Sequence, residues 1–130
     1  MFFDAGHILG AACVKLIVKE GNKTKRIVFS GDLGQAESVL VRKPYDLKQA
    51  DYVVIESTYG DRLHPPINES RDELLRVILE TYKRGGKLLI PSFAVERTQE
   101  ILYYLGDFFQ EGLIPKMKVF LDSPMAMKAT

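Results

Sequence analysis

The rhythm of apolar and polar positions changes near Tyr59-Gly60. Before that point, Ala11 to Lys19 alternates small or apolar residues with polar ones, the period of a strand with one buried face. Glu20-Gly21-Asn22-Lys23 interrupts the alternation and Lys25 to Phe29 resumes it. A Gly-Asn pair between two β-rich runs predicts a hairpin. Ala50 to Glu56 contains Tyr52-Val53-Val54-Ile55, apolar without alternation, which predicts a strand buried on both faces. From Glu69 to Arg84 the period lengthens. Leu74, Leu75, Ile78, Leu79 and Tyr82 recur at intervals of three and four, the stripe of an amphipathic helix. Asn68 or Ser70 can cap its start, and Gly85-Gly86 stops it. Lys87 to Phe93 reads as a short buried strand ending at Pro91. Val95 to Gln110 reads as a second helix, with Ile101, Leu102, Leu105, Phe108 and Phe109 on one side and Gly112 behind it. Lys118 to Leu121 is a further short strand, and Ser123-Pro124 reads as the cap and first residue of another helix.

Strand, helix, strand, helix, strand and helix start is the order of parallel β-α-β units with right-handed crossovers. The fold class is therefore α/β, a hairpin-rich first part joined near Tyr59-Gly60 to a parallel α/β second part. The sequence shows neither internal repeats nor low-complexity segments. Met125 to Thr130 opens a helix that stops within its second turn, as an internal piece of a longer polypeptide would.

Composition narrows the function classes only a little. At 130 residues, 46% hydrophobic and 27% charged, the chain is long enough for a core and has the make-up of a soluble globular domain. Eighteen basic and seventeen acidic side chains leave a net charge of +1, so no global field draws it to nucleic acid or membrane, although a local basic groove stays open. Cys13 is the single cysteine; it rules out an internal disulfide and suits a reducing, cytoplasmic compartment. No apolar run approaches the roughly 18 residues of a membrane span, and no signal-peptide pattern precedes the first strand.

The residues with chemistry sit in turns. His7 lies in Asp4-Ala5-Gly6-His7-Ile8-Leu9-Gly10, where flanking glycines let the backbone pass close to a neighbour and Asp4 can orient the imidazole. A lone histidine in a loop is otherwise a hydrogen-bonding residue. Asp32, in Ser30-Gly31-Asp32-Leu33-Gly34, is either an ordinary turn aspartate at a strand end or a metal-bridging carboxylate. Glu56 ends the Val53-Val54-Ile55 run, and a carboxylate at the end of a buried strand needs a partner. Ser92 and Arg97 flank the first turn of the second helix, where free amides favour an anion such as phosphate. A cap and a surface salt bridge are the alternative roles. His64, beside Pro65-Pro66, reads as a solvent-exposed loop residue.

Taken in order, these runs resemble the β-CASP branch of the metallo-β-lactamase superfamily, a group of RNA- and DNA-processing nucleases. The resemblance runs through Asp4 to Ala12, Ser30 to Gly34, Ile55 to Gly60, Gly85 to Phe93 with Arg97-Thr98-Gln99-Glu100, and Asp122 to Ala126. It is nearest to the bacterial and archaeal homologues of the cleavage-and-polyadenylation endonuclease subunit. It implies that residues 1–60 are part of a metallo-β-lactamase αββα core and residues 61–130 the start of the β-CASP domain. His7 would ligate one zinc ion and Asp32 would bridge two, in a site where the metal pair activates water for phosphodiester hydrolysis. Glu56 would be the acidic catalytic residue that opens the β-CASP segment and pairs with a later histidine. Ser92 and Arg97 would contact substrate, and the implied substrate is RNA, with DNA as the other candidate. No membrane partner is implied, and a homodimer is one assembly open to it.

The family's His-x-His-x-Asp-His ligands would lie upstream of Met1 and its later histidines beyond Thr130. The 130 residues alone are therefore expected to be inactive and to bind zinc weakly or not at all. Two other functions remain open at this point: a non-catalytic scaffold subunit of an RNA-processing complex, and an α/β module binding a phosphate-bearing ligand at Ser92 and Arg97.

Overall fold

The Gly-Asn hairpin forms the centre of the first half of the molecule. In the computed structural model, which describes all of residues 1–130, β2 (Ala12–Glu20) pairs antiparallel with β3 (Lys23–Phe29), from Val14↔Phe29 to Glu20↔Lys23. Gly21-Asn22 is thus the whole loop, and Gly21 takes a φ of 56° there, a left-handed conformation that a Cβ would disfavour. Two further strands flank the hairpin. β1 (Phe2–Asp4) pairs antiparallel with β2, and β4 (Tyr52–Val54) pairs parallel with β3. The result is a four-stranded mixed sheet in the order β1-β2-β3-β4.

Side chains alternate between the two faces of a sheet, so this register sorts them. Cys13 and Val28 are buried on one face. That face is partly covered by the chain between β3 and β4, where the Tyr45 ring lies 4.9 Å from the Phe3 ring and the Lys15 ammonium donates to the Lys48 carbonyl at 3.1 Å; Ile17 and Val53 on the same face stay exposed. The other face carries Phe2, Leu16, Val18, Phe29, Tyr52 and Val54 in register, and all six are exposed. The run at 50–56 is not the strand buried on both faces that its composition predicts. β4 has three residues, and Tyr52 to Ile55 are between 55% and 62% exposed. The strand sits at the sheet edge with β3 as its one neighbour, and a run of apolar residues does not by itself supply a covering layer.

The chain divides into two compact units, Met1–Leu63 and His64–Thr130. The second unit is built from α1 (Ile67–Lys83), α2 (Arg97–Gln110) and the short α3 (Pro124–Ala129). Ile78, Phe108 and Ile114 form its core, with Leu74, Leu75, Tyr104, Leu105 and Met117 packed against them. Of the predicted stripes, Leu74, Leu75, Ile78, Leu105 and Phe108 point into this core, whereas Leu79, Tyr82 and Phe109 are exposed. Helix ends follow the glycine signals: the Gly86 amide reaches the Thr81 carbonyl and the Leu113 amide, just past Gly112, reaches the Phe108 carbonyl. The Ser123 hydroxyl accepts from the Ala126 amide at 3.2 Å, with Pro124 at the first helical position, as its sequence predicts.

Three expectations fail in this unit. Neither Asn68 nor Ser70 caps α1, which starts after Pro66 with no side-chain cap and takes both residues inside it. The second helix begins at Arg97, not Val95, after Glu96 at a φ of 75°. Residues 87–93 and 118–121 form no strands. Residues 87–92 and 118–121 line one open cavity of about 940 Å³ together with Ile78, Thr98, Ile101 and Leu105, but no ladder joins the two runs to each other. A strand exists through its hydrogen-bonded neighbour, and a local apolar run cannot show whether that neighbour is there. The parallel β-α-β arrangement expected of the second part is accordingly absent; the one parallel pair, β3 with β4, is joined by non-helical chain. No helix is long and apolar enough to cross a membrane.

Candidate functional site

Three turns leave the same end of the sheet. β1, β3 and β4 run in one direction and β2 in the other, so the turns after β1, after β3 and after β4 emerge together. They carry His7, Asp32 and Glu56.

The first turn is closed by its own backbone. The Ala5 amide donates to the Ala11 carbonyl at 3.1 Å and the Ala11 amide to the Ile8 carbonyl at 3.0 Å. Asp4 was expected to orient the His7 ring. Its carboxylate instead accepts from the Gly6 amide at 2.9 Å, so it fixes the turn that presents the ring. His7 itself is exposed.

The second turn is pressed against the first. The Gly34 amide donates to the Ala5 carbonyl at 2.9 Å. A Cβ on Gly34 would lie 1.5 Å from the Gly6 carbonyl oxygen and 2.6 Å from the His7 nitrogen. No side chain fits there, and this contact brings the Asp32 turn beside the His7 peptide. Asp32 is exposed on that turn.

The third turn is tied to the second. One Glu56 carboxylate oxygen, Oε1, accepts from the Leu33 amide at 2.6 Å, and the Glu56 amide donates to Ser30 Oγ at 3.1 Å. The Ser30 hydroxyl in turn donates to the Gly31 carbonyl at 2.6 Å. The Ser30 amide donates to the Val54 carbonyl at 2.9 Å, carrying the β3–β4 pairing one step further. The Leu33 amide, then the Thr58 hydroxyl, hold the Glu56 carboxyl below the usual carboxylate range, with a smaller contribution from the His7 charge. Hydrogen bonds to the charged form lower a pKa in this way.

The structure thus brings His7, Asp32 and Glu56 to one place. Ser92 and Arg97 are not joined into an anion cradle. The Ser92 hydroxyl leans on the Ile90 carbonyl at 3.4 Å, and the Arg97 guanidinium pairs with Glu100 at 2.7 Å. With α2 beginning at Arg97, Ser92 lies five residues ahead of the helix, on the wall of the cavity. His64 is exposed, as its sequence suggests. The residues that sequence reasoning missed are Ser30, the Leu33 amide and Gly34. All three stand in the Ser-Gly-Asp-Leu-Gly run, but their partners lie 23 to 29 positions away in the chain, beyond any local pattern.

As a metal site the arrangement is incomplete. Catalytic zinc is usually held by three protein ligands with water in the open position. His7 and Asp32 are two; the Glu56 carboxylate already serves the Leu33 amide through Oε1, and the Asp4 carboxylate serves the Gly6 amide. No group of three or more His, Cys, Asp or Glu side chains is placed to hold a metal ion. The residues present do not fit a zinc centre on their own.

No protein-family model matches the chain. It is similar to a Thermus thermophilus protein named Ribonuclease TTHA0252, 44% identical over 125 residues, covering 96% of this chain and 28% of that protein. It is also similar to Transcription termination factor FttA of Methanothermobacter thermautotrophicus, 36% identical over 122 residues, which are 92% of this chain and 19% of that protein. An RNase J-like protein of Methanocaldococcus jannaschii is 35% identical over 127 residues, 95% of this chain and 29% of its own length. The chain therefore spans less than a third of the length of these curated relatives.

Proposed function

We propose that these 130 residues are part of a metal-dependent ribonuclease of the metallo-β-lactamase superfamily, β-CASP branch, that hydrolyses RNA phosphodiester bonds. The observation that carries this reading is the meeting of the His7 and Asp32 turns, held by the Gly34 amide on the Ala5 carbonyl. An imidazole and a carboxylate on adjoining turns at one sheet end are the donor types of a zinc site. The similarity to proteins named Ribonuclease TTHA0252 and RNase J-like protein supports RNA as the substrate and hydrolysis as the reaction.

In this proposal zinc is the cofactor, His7 and Asp32 are two of its ligands, and the remaining ligands come from outside these residues. When bound, zinc would supply Lewis acidity and an activated water. The chain's own contribution is positional: the Gly34 contact sets the spacing of the two turns, and the Asp4 carboxylate holds the Gly6 peptide next to His7.

Two measurements test the proposal. In the full-length polypeptide, Asp32→Ala is expected to abolish RNA cleavage while circular dichroism and thermal midpoint stay near those of the parent. Near-normal turnover in that variant removes Asp32 from the site. For the 130-residue chain alone, isothermal titration with zinc is expected to give no stoichiometric uptake at sub-micromolar affinity, and such uptake would show a complete site that two ligands do not explain.

A further inference from the structure

Asp32 stands between two peptide groups that are both tied down, and the ties converge on the same two residues. On its N-terminal side the Gly31 carbonyl accepts from the Ser30 hydroxyl at 2.6 Å. On its C-terminal side the Leu33 amide donates to Glu56 Oε1 at 2.6 Å. The two anchors are joined, because the Glu56 amide donates to Ser30 Oγ at 3.1 Å.

We propose that Ser30 and Glu56 are a positioning pair that fixes the Asp32 turn, and so aims the Asp32 carboxylate, from both sides. This deepens the proposed function and rests on the reading of Asp32 as a ligand.

The chemistry of each group suits the task. A serine hydroxyl has one donor and can accept as well. Ser30 uses the donor on Gly31 and accepts from Glu56, and at 5% exposure it is sheltered from water that would compete for either bond. An ionised carboxylate is an acceptor only, and its bond to an amide is charge-assisted and short, as at Leu33. Gly31 and Gly34 surround Asp32 with backbone that has few preferences of its own. A ligand on such a turn must be held by its surroundings if its atoms are to stay within about 0.5 Å of a productive geometry. Strand pairing supplies the base of the device: the Ser30 amide on the Val54 carbonyl fixes the end of β3 against the end of β4, two residues before Glu56. In this arrangement Glu56 acts on Asp32 through the Leu33 amide, which is a positioning role.

The test has a readout that needs neither metal nor activity. In the isotope-labelled 130-residue chain, Glu56→Ala and Ser30→Ala are each expected to speed hydrogen exchange at the Leu33 amide by tenfold or more. Both should also move the Asp32 carboxyl-carbon resonance, while amides of α1 and α2 keep their protection. Glu56→Gln keeps a side-chain acceptor and Ser30→Thr keeps the hydroxyl, so each is expected to restore most of the Leu33 protection. Unchanged Leu33 exchange in either alanine variant overturns the inference, as does a conservative variant that behaves like alanine while α1 and α2 stay protected.

In the full-length polypeptide, the alanine variants are expected to lower kcat for RNA cleavage at least tenfold with KM little changed. The two readings separate cleanly. If Asp32→Ala leaves cleavage intact, the proposed function fails while the Leu33 exchange result still decides the positioning role. If Asp32→Ala abolishes cleavage but both Ser30→Ala and Glu56→Ala cleave normally, the positioning inference fails alone.

Discussion

Gly34 is the residue on which the site's geometry depends most directly. A Cβ there would overlap the Gly6 carbonyl oxygen at 1.5 Å and crowd the His7 nitrogen at 2.6 Å. Both are backbone atoms, so no side-chain rotation relieves the clash and the two turns must separate. Gly34→Ala is expected to destabilise the first unit by about 1–3 kcal/mol, the range for forcing extra atoms into a packed site. A shift of the urea midpoint with unchanged m-value checks it, and displaced His7 and Asp32 resonances locate the damage. Cys13 offers a pH test on the covered face of the same sheet. Burial, then the Asp4 charge, push its thiol above the ordinary value. The folded state thus favours the neutral thiol, so that contribution to stability is complete below the unfolded thiol's pKa. It is lost as pH rises through the higher folded value. Reaction with a thiol reagent is expected to be slow at pH 8, to accelerate as pH is raised, and to become fast at pH 8 once urea unfolds the chain. Fast labelling of the folded chain at pH 8 contradicts this account of Cys13.

At the scale of elements, the second unit is held by apolar stripes with one polar clamp across α1 and α2. The Arg71 guanidinium pairs with Glu111 at 2.7 Å and with Asp107 at 3.5 Å, and lies 4.7 Å from the centroid of the buried Phe108 ring. Its side chain is 24% exposed, so solvent and salt weaken the ion pairs and the aromatic contact carries a comparable share. Arg71→Ala is expected to lower the midpoint of a thermal or urea melt. Arg71→Lys is expected to recover only part of that, because an ammonium lacks the planar fork. A melt of Arg71→Ala that superimposes on the parent removes the clamp.

The same elements show what the sequence could reveal. The stripes of α1 and α2, the glycine stops and the Ser123-Pro124 start are local signals, each set by residues within a turn or two of one another, and they were legible. So was the hairpin, whose loop chemistry is likewise local. The runs at 87–93 and 118–121 have the composition of strands but form none, because pairing is a property of two segments. The three-residue β1 is too short to show a period at all. The turns bearing His7 and Asp32 were visible through their glycines. The Gly34–Ala5 bond and the Glu56–Leu33 bond that hold the turns together cross 29 and 23 positions, and no local pattern encodes them. Family resemblance supplied the expectation that these residues act together; the hydrogen bonds supply a physical means.

For the molecule as a whole, the asymmetry of the sheet decides its behaviour in solution. One face is partly covered by the chain between β3 and β4, where Tyr45 meets Phe3, and buries Cys13 and Val28. The opposite face presents Phe2 at 78% exposure, Val18 at 47%, Tyr52 at 57% and Val54 at 55%, with Leu16 and Phe29 between them. Contiguous apolar area of this kind is uncommon on a monomer and attracts either a partner or another copy. The β4 edge adds unpaired backbone groups beside it. The 130-residue chain is therefore expected to bind a hydrophobic dye in its folded state and to self-associate with rising concentration in sedimentation velocity. Replacing Leu16 and Phe29 by lysine tests the cause. Both side chains lie on the exposed face, paired respectively with Ile27 and Val14 across the hairpin, so charge can be added with little disturbance to the covered face. The double variant is expected to keep its far-ultraviolet circular dichroism, lose most of the dye signal and sediment as a monomer at concentrations where the parent associates. Association that survives the two lysines would move its origin to the β4 edge, where Val53→Pro, which removes an amide and leaves the broad apolar face intact, is the deciding variant.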